Sequence, residues 1–149
     1  MTPEEFRRHG HALIDWIADY RAATSRGERP VMARVAPGSL RAALPAVPPV
    51  EGESFETILA DLDRAIVPGC THWQDPRFHA YFPSNSSLAA ALGDFASTGL
   101  AQLGLTWQSS PALTELEEHV ADWMRQMLGL PESFSGVIQD LYGDRKSVV

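Results

Sequence analysis

The sequence predicts a mainly α-helical protein, and three observations favour this class. Apolar residues recur at helical spacing in four separate segments. These segments open on residues that suit a helix N-terminus, among them Thr2, Ser54 and Ser110. Only one short stretch, "SGVIQD", resembles the beginning of a strand, and the chain contains no internal repeat. We therefore expect helices that bury their apolar faces, without a sheet of their own.

The first predicted helix has clear start signals. Thr2 suits the cap, Pro3 suits the first helical position, and Glu5 completes a T-x-x-E capping box. A single helix of this length is marginal in water, so it is expected to lie on the rest of the chain or on a partner. Its apolar face is formed by Phe6, Leu13, Ile14, Trp16, Ile17 and Tyr20.

A proline-rich segment, residues 26–52, follows the first helix and is called the strap below. Proline removes backbone donors and favours extended geometry in its neighbours, which predicts an irregular path. A second helix is expected to begin near Ser54 and to stop at Pro68 and Gly69. The strap is more apolar than a free linker, because it carries Val31, Met32, Val35, Leu40 and Leu44.

Two further helices are predicted after Ser87. The third is rich in Ala, Gly and Ser between its larger apolar residues, so we expect it to be buried on several sides. The fourth has Ser110 as its cap, Pro111 at its first position, and Gly129 with Pro131 beyond its end. The third helix is marked by Leu88, Leu92, Phe95 and Leu103.

Composition excludes several functional classes. The chain has 149 residues, of which 44% are hydrophobic, and this is enough for one soluble domain with a core. A formal net charge of -7 opposes binding to nucleic acid, which usually requires a clustered basic face. The longest apolar run is interrupted by Asp94 and several glycines, which argues against a membrane span. The single cysteine, Cys70, and an N-terminus unlike a signal peptide favour a cytoplasmic location.

Conventional catalytic patterns are weak. Cys70, His72 and His79 match no zinc spacing, so polar loop residues are the favoured interpretation and no metal is expected. The acidic clusters near Asp61 and Glu115 suit solvated helix faces better than paired-acid chemistry. Glycine-rich phosphate motifs are absent. The serines of residues 84–87 suit helix capping, although a helix N-terminus can also attract an anion.

Five segments carry a more specific pattern: "FRRHGHALIDWIADYRAA", "VAPGSLRAALPAVPP", "PGCTHWQDPRFHAYFPSNSS", "LTWQSSPALTELEEHVADWMRQMLGLP" and "GVIQD". In order and spacing they resemble the N-terminal part of the group II pyridoxal-phosphate-dependent amino-acid decarboxylases, and most of all the aromatic-L-amino-acid decarboxylase branch. The resemblance extends from about Phe6 to Gln139. It implies an N-terminal helical arm followed by the first helices of a truncated fold-type-I α/β coenzyme domain.

The resemblance also implies site residues. The N-terminal arm would lie over the partner subunit of a homodimer, and the aromatic stretch would line the pocket of an amino-acid substrate. Ser84 matches a position near the substrate carboxylate, and Leu105 stands where many aromatic-selective members have an aromatic residue, so the substrate is not fixed. Burial alone would also explain the aromatic residues. The implied pocket residues are Trp73, Tyr81, Phe82, Pro83 and Ser84, with Leu103 and Leu105 contributed across the dimer interface.

The implied chemistry requires pyridoxal 5'-phosphate, a lysine for its Schiff base and a phosphate cradle. The only lysine is Lys146, whose surroundings do not resemble the family's lysine motif, and "LYGDRK" stands where a hydroxyl-rich phosphate loop is expected. We therefore expect an inert piece, cut short by a frameshift, a misplaced stop or a cloning boundary. No catalytic or cofactor-binding residue is assigned to it.

The expected organisation has three parts. Residues 1–85 form the arm, strap and pocket loop, residues 86–139 begin the coenzyme domain, and residues 140–149 are a non-matching tail. An alternative is an autonomous helical module that dimerises through the first helix and has no catalytic role. The assembly of the chain tests the second hypothesis. Unpartnered helices would leave apolar surface exposed, so the module should associate, and a loosely packed monomer would count against it.

Overall fold

The computed structural model describes residues 1–81, 86–102, 104 and 106–138, and these residues form α-helices, short turns and connecting segments without a strand. The chain divides into two compact units, Met1–Leu88 and Ala89–Val149. The helical class is therefore confirmed. The predicted strand is not formed over residues 135–138, and the end of that stretch lies outside the described residues.

The first unit begins with helix α1, Pro3–Ser25. Thr2 caps it as predicted: its side chain accepts a hydrogen bond from the Glu5 amide, and the Glu5 carboxylate accepts one from the Thr2 amide at 2.7 Å. This pairing with the backbone of Thr2 holds the pKa of Glu5 below its usual value. The helix ends where Gly27 adopts a left-handed conformation, with φ of 69°.

The strap contains one helix that the sequence analysis did not predict. Helix α2, Ser39–Ala43, is a single turn that follows Gly38, and the Ser39 hydroxyl donates to the Ala36 carbonyl at 2.7 Å. Most of the strap is exposed, including its apolar residues Met32 and Val50. In this chain the strap is thus attached at a few points and does not form a core.

The second predicted helix begins as expected but changes its geometry. Helix α3, Phe55–Asp61, is capped by Ser54, whose hydroxyl accepts a hydrogen bond from the Thr57 amide at 3.2 Å. It continues as a π-helical turn, Leu62–Ile66, and a 3-10 turn, Val67–Gly69. The predicted stop at Pro68 and Gly69 is confirmed, although the last two turns are not α-helical.

Helices α1 and α3 are joined by side-chain contacts along their length. The His9 and Phe55 rings lie 4.6 Å apart between centroids. Two residues past the middle of α1, the Trp16 indole donates to the carboxylate of Asp63, in the π-helical turn that follows α3, at 2.9 Å. Among the described residues, the buried apolar side chains are Val67 and Phe78. The unit is therefore held by polar and aromatic contacts around a small core.

The second unit contains helices α4, Leu88–Leu100, and α5, Pro111–Met127. Two expectations for α4 are wrong. The helix was expected to reach Leu103 but ends at Leu100, because Ala101 has a left-handed φ of 51°; Leu103 lies outside the described residues. No residue of α4 is buried. The burial on several sides that the small and apolar residues of α4 predicted is therefore not found in the described part of the chain.

Helix α5 begins and ends where predicted, with Pro111 in its first turn and Gly129 in a left-handed conformation after its end. Ser110 occupies the cap position, but its side chain makes no capping hydrogen bond, contrary to the expected role. Its backbone carbonyl instead accepts from the Thr114 hydroxyl at 3.1 Å. At the other end, Arg125 pairs with Asp122 and donates to the Leu130 carbonyl at 3.0 Å.

Candidate functional site

The candidate site is the loop of residues 72–81, called the aromatic loop below, which follows the 3-10 turn in the first unit. Its start is fixed to the strap, because the His72 amide donates to the Val31 carbonyl at 2.9 Å. Two successive turns follow: the Asp75 amide donates to the His72 carbonyl, and the Phe78 amide to the Asp75 carbonyl. The loop therefore has a defined backbone without belonging to a helix or a strand.

Asp75 and Arg77 form the main polar contact of the aromatic loop. The Asp75 carboxylate accepts hydrogen bonds from the Arg77 amide at 2.8 Å, from its Nε at 2.9 Å and from its Nη2 at 2.8 Å. The same guanidinium donates to the carbonyls of Gly27 and Arg29, at 2.9 and 2.8 Å. One arginine thus joins the loop to the chain that leaves α1.

The electrostatics of this pair follow from its hydrogen bonds. The Asp75 side chain is 0% exposed, whereas that of Arg77 is 55% exposed. The hydrogen bonds from Arg77 lower the pKa of Asp75 from its ordinary value of 3.8 to about 2, against the opposing effect of burial. The same contact raises the pKa of Arg77. Both shifts favour the charged forms, so the pair is ionised near neutral pH.

His72 lies under the loop. It is 3% exposed, and its ring lies 5.8 Å from that of Tyr20 between centroids. Neither ring nitrogen has a hydrogen-bond partner within the described part of the chain. Its backbone amide makes the contact with the strap, so His72 fills space between α1 and the loop rather than facing solvent.

Three aromatic rings of the loop form a cluster. The Trp73 ring lies 4.9 Å from Phe78 and 5.7 Å from Tyr81, and the second pair is stacked. Phe78 is buried, Trp73 is 44% exposed and Tyr81 is 84% exposed. Tyr81 also has a left-handed φ of 57°, which costs a non-glycine residue energy and is often found at functional sites. In this cluster the buried ring of Phe78 thus supports the exposed rings of Trp73 and Tyr81.

Two of the implied pocket residues, Trp73 and Tyr81, are described, and the structure brings them together. The rest lie outside the described residues: Phe82, Pro83, Ser84, Leu103 and Leu105. Sequence reasoning missed the contributions of Asp75, Arg77 and Phe78. An Asp-Pro-Arg turn was the only local signal, and it does not reveal that Arg77 contacts residues some 50 positions earlier.

A second concave surface lies along α1. A groove of about 350 Å³ is lined by Trp16, Tyr20, Arg29 and Asp63, together with Asp19, Ala22, Ala23 and Arg26. The Arg29 guanidinium lies over the Tyr20 ring, 5.0 Å from its centroid. Two acids and two arginines share this surface, so it has no strong preference for either sign of charge.

Three of the acidic residues noted in the sequence have identified partners. Asp61 pairs with Arg64 at 2.8 Å, and Asp63 accepts from Trp16. Glu117 accepts a hydrogen bond from the Ile138 amide at 2.8 Å. Within the described ranges, no three His, Cys, Asp or Glu side chains are grouped so as to hold a metal ion. None of the described helices has both the length and the apolar character needed to cross a membrane.

Comparison with known proteins identifies the family of this chain. The sequence profile described as the pyridoxal-dependent decarboxylase conserved domain matches residues 37–144, a range that runs past Gln139. Tyrosine/DOPA decarboxylase 2 of Papaver somniferum is 52% identical over 134 residues, which are 90% of this chain and 25% of that protein. The chain therefore belongs to the pyridoxal-dependent decarboxylase family, and it spans about a quarter of the length of the curated relatives that it matches.

Solved structures agree. The 4-hydroxyphenylacetaldehyde synthase of Rhodiola rosea superposes with a TM-score of 0.84 at 49% identity, over 91% of this chain and 28% of that one. The tryptophan decarboxylase of Catharanthus roseus, solved in complex with L-tryptophan, gives 0.83 at 43% identity, over 96% of this chain and 29% of that one. The helices described above are thus the N-terminal part of a pyridoxal-phosphate-dependent fold.

The family's coenzyme can be tested against the residues present. Pyridoxal phosphate is held through a Schiff base with a lysine amine, and it accepts electrons from the bond that breaks. The described residues include no lysine, since Lys146 lies outside them. This part of the chain therefore has no residue that fits the coenzyme's covalent attachment.

Proposed function

We propose that this chain is the N-terminal piece of a pyridoxal-phosphate-dependent decarboxylase that acts on aromatic L-amino acids. The observation that carries the proposal is the pair of open, stacked rings of Trp73 and Tyr81, supported by the buried ring of Phe78. Stacked aromatic faces recognise aromatic side chains through apolar contact and ring geometry. The names of the relatives, which include tyrosine, DOPA and tryptophan decarboxylases, support the same substrate class.

The aromatic loop would form one wall of the substrate pocket. Trp73 and Tyr81 would contact the substrate ring, followed by Phe82 and Pro83, and Ser84 would lie near the substrate carboxylate. Leu103 and Leu105 would complete the wall from the second subunit of a homodimer, whose contact includes the helical arm. In this organisation residues 1–85 are the arm, strap and pocket loop, residues 86–139 begin the coenzyme domain, and residues 140–149 are a tail.

Taken alone, the chain would be inactive and would not bind the coenzyme covalently. The supporting observation is the absence of a lysine from the described residues, because the Schiff base requires that amine. The single cysteine is also consistent with a cytoplasmic protein. A Schiff-base absorbance band, formed by the purified chain with pyridoxal phosphate and removed by a Lys146→Ala substitution, would contradict this part of the proposal.

A chimera tests the pocket assignment. Residues 1–138 would replace the matching segment of the Papaver tyrosine/DOPA decarboxylase, and carbon dioxide, amine and aldehyde products would be measured with tyrosine. The aldehyde is included because one similar structure is an aldehyde synthase. We expect an active chimera in which Tyr81→Ala raises KM at least several-fold for tyrosine. Trp123→Ala, an exposed tryptophan of α5, is the matched control and should leave KM unchanged.

Two results would overturn the pocket assignment. One is a dimeric chimera, loaded with coenzyme, that forms no product from any aromatic amino acid. The other is an active chimera in which Tyr81→Ala and Trp123→Ala have equal effects on KM. Coenzyme absorbance and sedimentation identify a chimera that has failed to assemble. In that case Tyr81→Ala is made in a smaller chimera, which carries only residues 70–90 of this chain.

One observation favours a second function, an autonomous dimerisation module without catalysis. Helix α4 exposes Leu88, Leu92 and Phe95, and apolar surface of this kind usually meets a partner. The module would self-associate as the isolated chain, whereas a decarboxylase fragment would need the remaining coenzyme domain. Sedimentation of the purified chain discriminates them: a monomer at all concentrations contradicts the module.

A further inference from the structure

Arg77 connects two parts of the chain that are far apart in sequence. Its Nη2 donates to the carbonyls of Gly27 and Arg29, while its Nε and Nη2 remain bonded to Asp75. The planar guanidinium can make these contacts at once because its donors form a rigid fork, which an ammonium group cannot imitate. The end of α1 and the aromatic loop are thereby fixed to one another.

The backbone conformation of Gly27 and its lack of a side chain permit this contact. Its φ of 69° is one that residues with a side chain rarely adopt. In addition, a Cβ placed on Gly27 would lie 3.2 Å from the Arg77 Cζ and 3.3 Å from its Nη2. The guanidinium therefore lies directly against the glycine backbone. Gly129, after α5, has a similar φ of 65°, but a Cβ there would meet no atom within 4 Å.

Burial makes the Asp75–Arg77 contact necessary. The Asp75 side chain has no exposure to solvent, so water cannot replace the hydrogen bonds that Arg77 provides. Removing Arg77 would leave a buried carboxylate without its main donor, which is a strongly unfavourable arrangement. The loop would then be expected to open so that Asp75 reaches water.

Phe78, a member of the aromatic cluster, directly follows Arg77 in the sequence. Phe78 is buried against Trp73, and Trp73 stacks on Tyr81. A displacement of Arg77 is therefore passed to Phe78 through the backbone and to the two open rings through contact.

We propose that the Asp75–Arg77 pair, seated on Gly27, is a positioning latch that sets the orientation of the Trp73 and Tyr81 rings. That these rings form a substrate wall rests on the proposed function, whereas their positioning by the latch does not. Arg77 is a positioning residue and need not contact the substrate.

The test uses the full chain labelled with 5-fluorotryptophan, whose four 19F resonances are assigned by single Trp→Phe substitutions. The shift of each resonance on changing from H₂O to D₂O reports its exposure. We expect Arg77→Gln to move the Trp73 resonance toward the free amino-acid position and to increase its solvent shift. The Trp16, Trp107 and Trp123 resonances should stay in place, which a general loss of structure would not allow.

Three further variants separate latch geometry from stability. Gly27→Ala and Gly129→Ala impose a similar backbone penalty, but only the first presses on Arg77, so only Gly27→Ala should move the Trp73 resonance. Arg77→Lys keeps the charge without the fork and should fail to restore the wild-type position. If Arg77→Gln loses helix content by circular dichroism, the pair of glycine variants decides the question.

An unchanged Trp73 resonance in a folded Arg77→Gln chain would overturn the latch, as would equal effects of the two glycine variants. None of these measurements involves substrate or coenzyme. A latch that fails here therefore leaves the chimera experiment untouched, and a chimera that fails leaves the latch untouched.

Discussion

Asp75 is the residue whose protonation has the clearest consequence. Its pKa is lowered in the folded chain, so the unfolded chain binds more protons between the ordinary value of 3.8 and about 2. The stabilisation that depends on its charge is fully present above this window. It is lost as the pH falls through it, because the protonated acid no longer attracts Arg77.

An Asp75→Asn substitution tests this sign. The difference in unfolding free energy between wild type and variant should be constant near neutral pH, should fall from about pH 5 downward, and should approach zero near pH 2. Urea unfolding followed by circular dichroism, repeated across this range, measures it. A difference that grows with acidification would contradict the assignment.

Two serines at helix caps give a matched comparison. The Ser54 hydroxyl accepts from the Thr57 amide, whereas the Ser110 side chain makes no capping bond. Ser54→Ala should therefore reduce the stability of α3 by about 1 kcal/mol, and Ser110→Ala should cost α5 less than this. Hydrogen exchange of the amides in the first turn of each helix measures both losses. Equal losses would show that the hydroxyl contact at Ser54 is unimportant.

At the scale of elements, helix α4 has an apolar face that remains exposed. Leu88, Leu92 and Phe95 fall within one side of the helix at 100° per residue, and Ser97 lies on the opposite side. All four are exposed. Exposed apolar side chains that share one side of a helix favour association.

A charge on that face should weaken association. We expect Leu92→Glu to shift the purified chain toward monomer in sedimentation velocity, because a carboxylate is costly to bury in an apolar contact. Ser97→Glu adds the same charge on the opposite side and should leave the distribution as in wild type. If both variants dissociate the chain equally, net charge rather than the α4 face controls assembly.

Helix starts could be predicted from the sequence because their causes are local. Thr2 with Glu5, Ser54 and Pro111 each act within one turn, and all three helices begin there. The helix α2 and the π-helical turn were not predicted, since their residues have no distinct pattern. The Arg77 contacts were not predicted either, because they join positions about 50 residues apart. For α4, the composition predicts that other residues pack on the helix, but it does not reveal whether these residues belong to this chain or to a partner.

For the whole molecule, the decisive property is that few apolar side chains are buried among the residues that the structure describes. Val67 and Phe78 are buried, whereas large side chains on every helix remain exposed. A chain of this size usually needs a larger core to be stable alone. Stability is therefore expected to depend on what covers the helices.

This dependence predicts a mass-action effect. If a second copy covers the exposed faces, Tm should rise with chain concentration, because a partner that binds only the folded state stabilises it. Calorimetry over a hundredfold concentration range measures this rise. A Tm independent of concentration would show that the isolated chain folds as a monomer, and adding the remaining part of the parent enzyme should then raise it instead.

The π-helical turn limits how the length of this chain can vary. Asp63, near the start of the turn, accepts a hydrogen bond from Trp16, and beyond the turn the His72 amide donates to the Val31 carbonyl. Deleting one residue between these two contacts would shift Asp63 and His72 relative to one another, so the two hydrogen bonds could not both keep their present geometry. Insertions and deletions should therefore be rare between these two anchors among natural variants, while the exposed stretch near Val50 can lengthen or shorten freely.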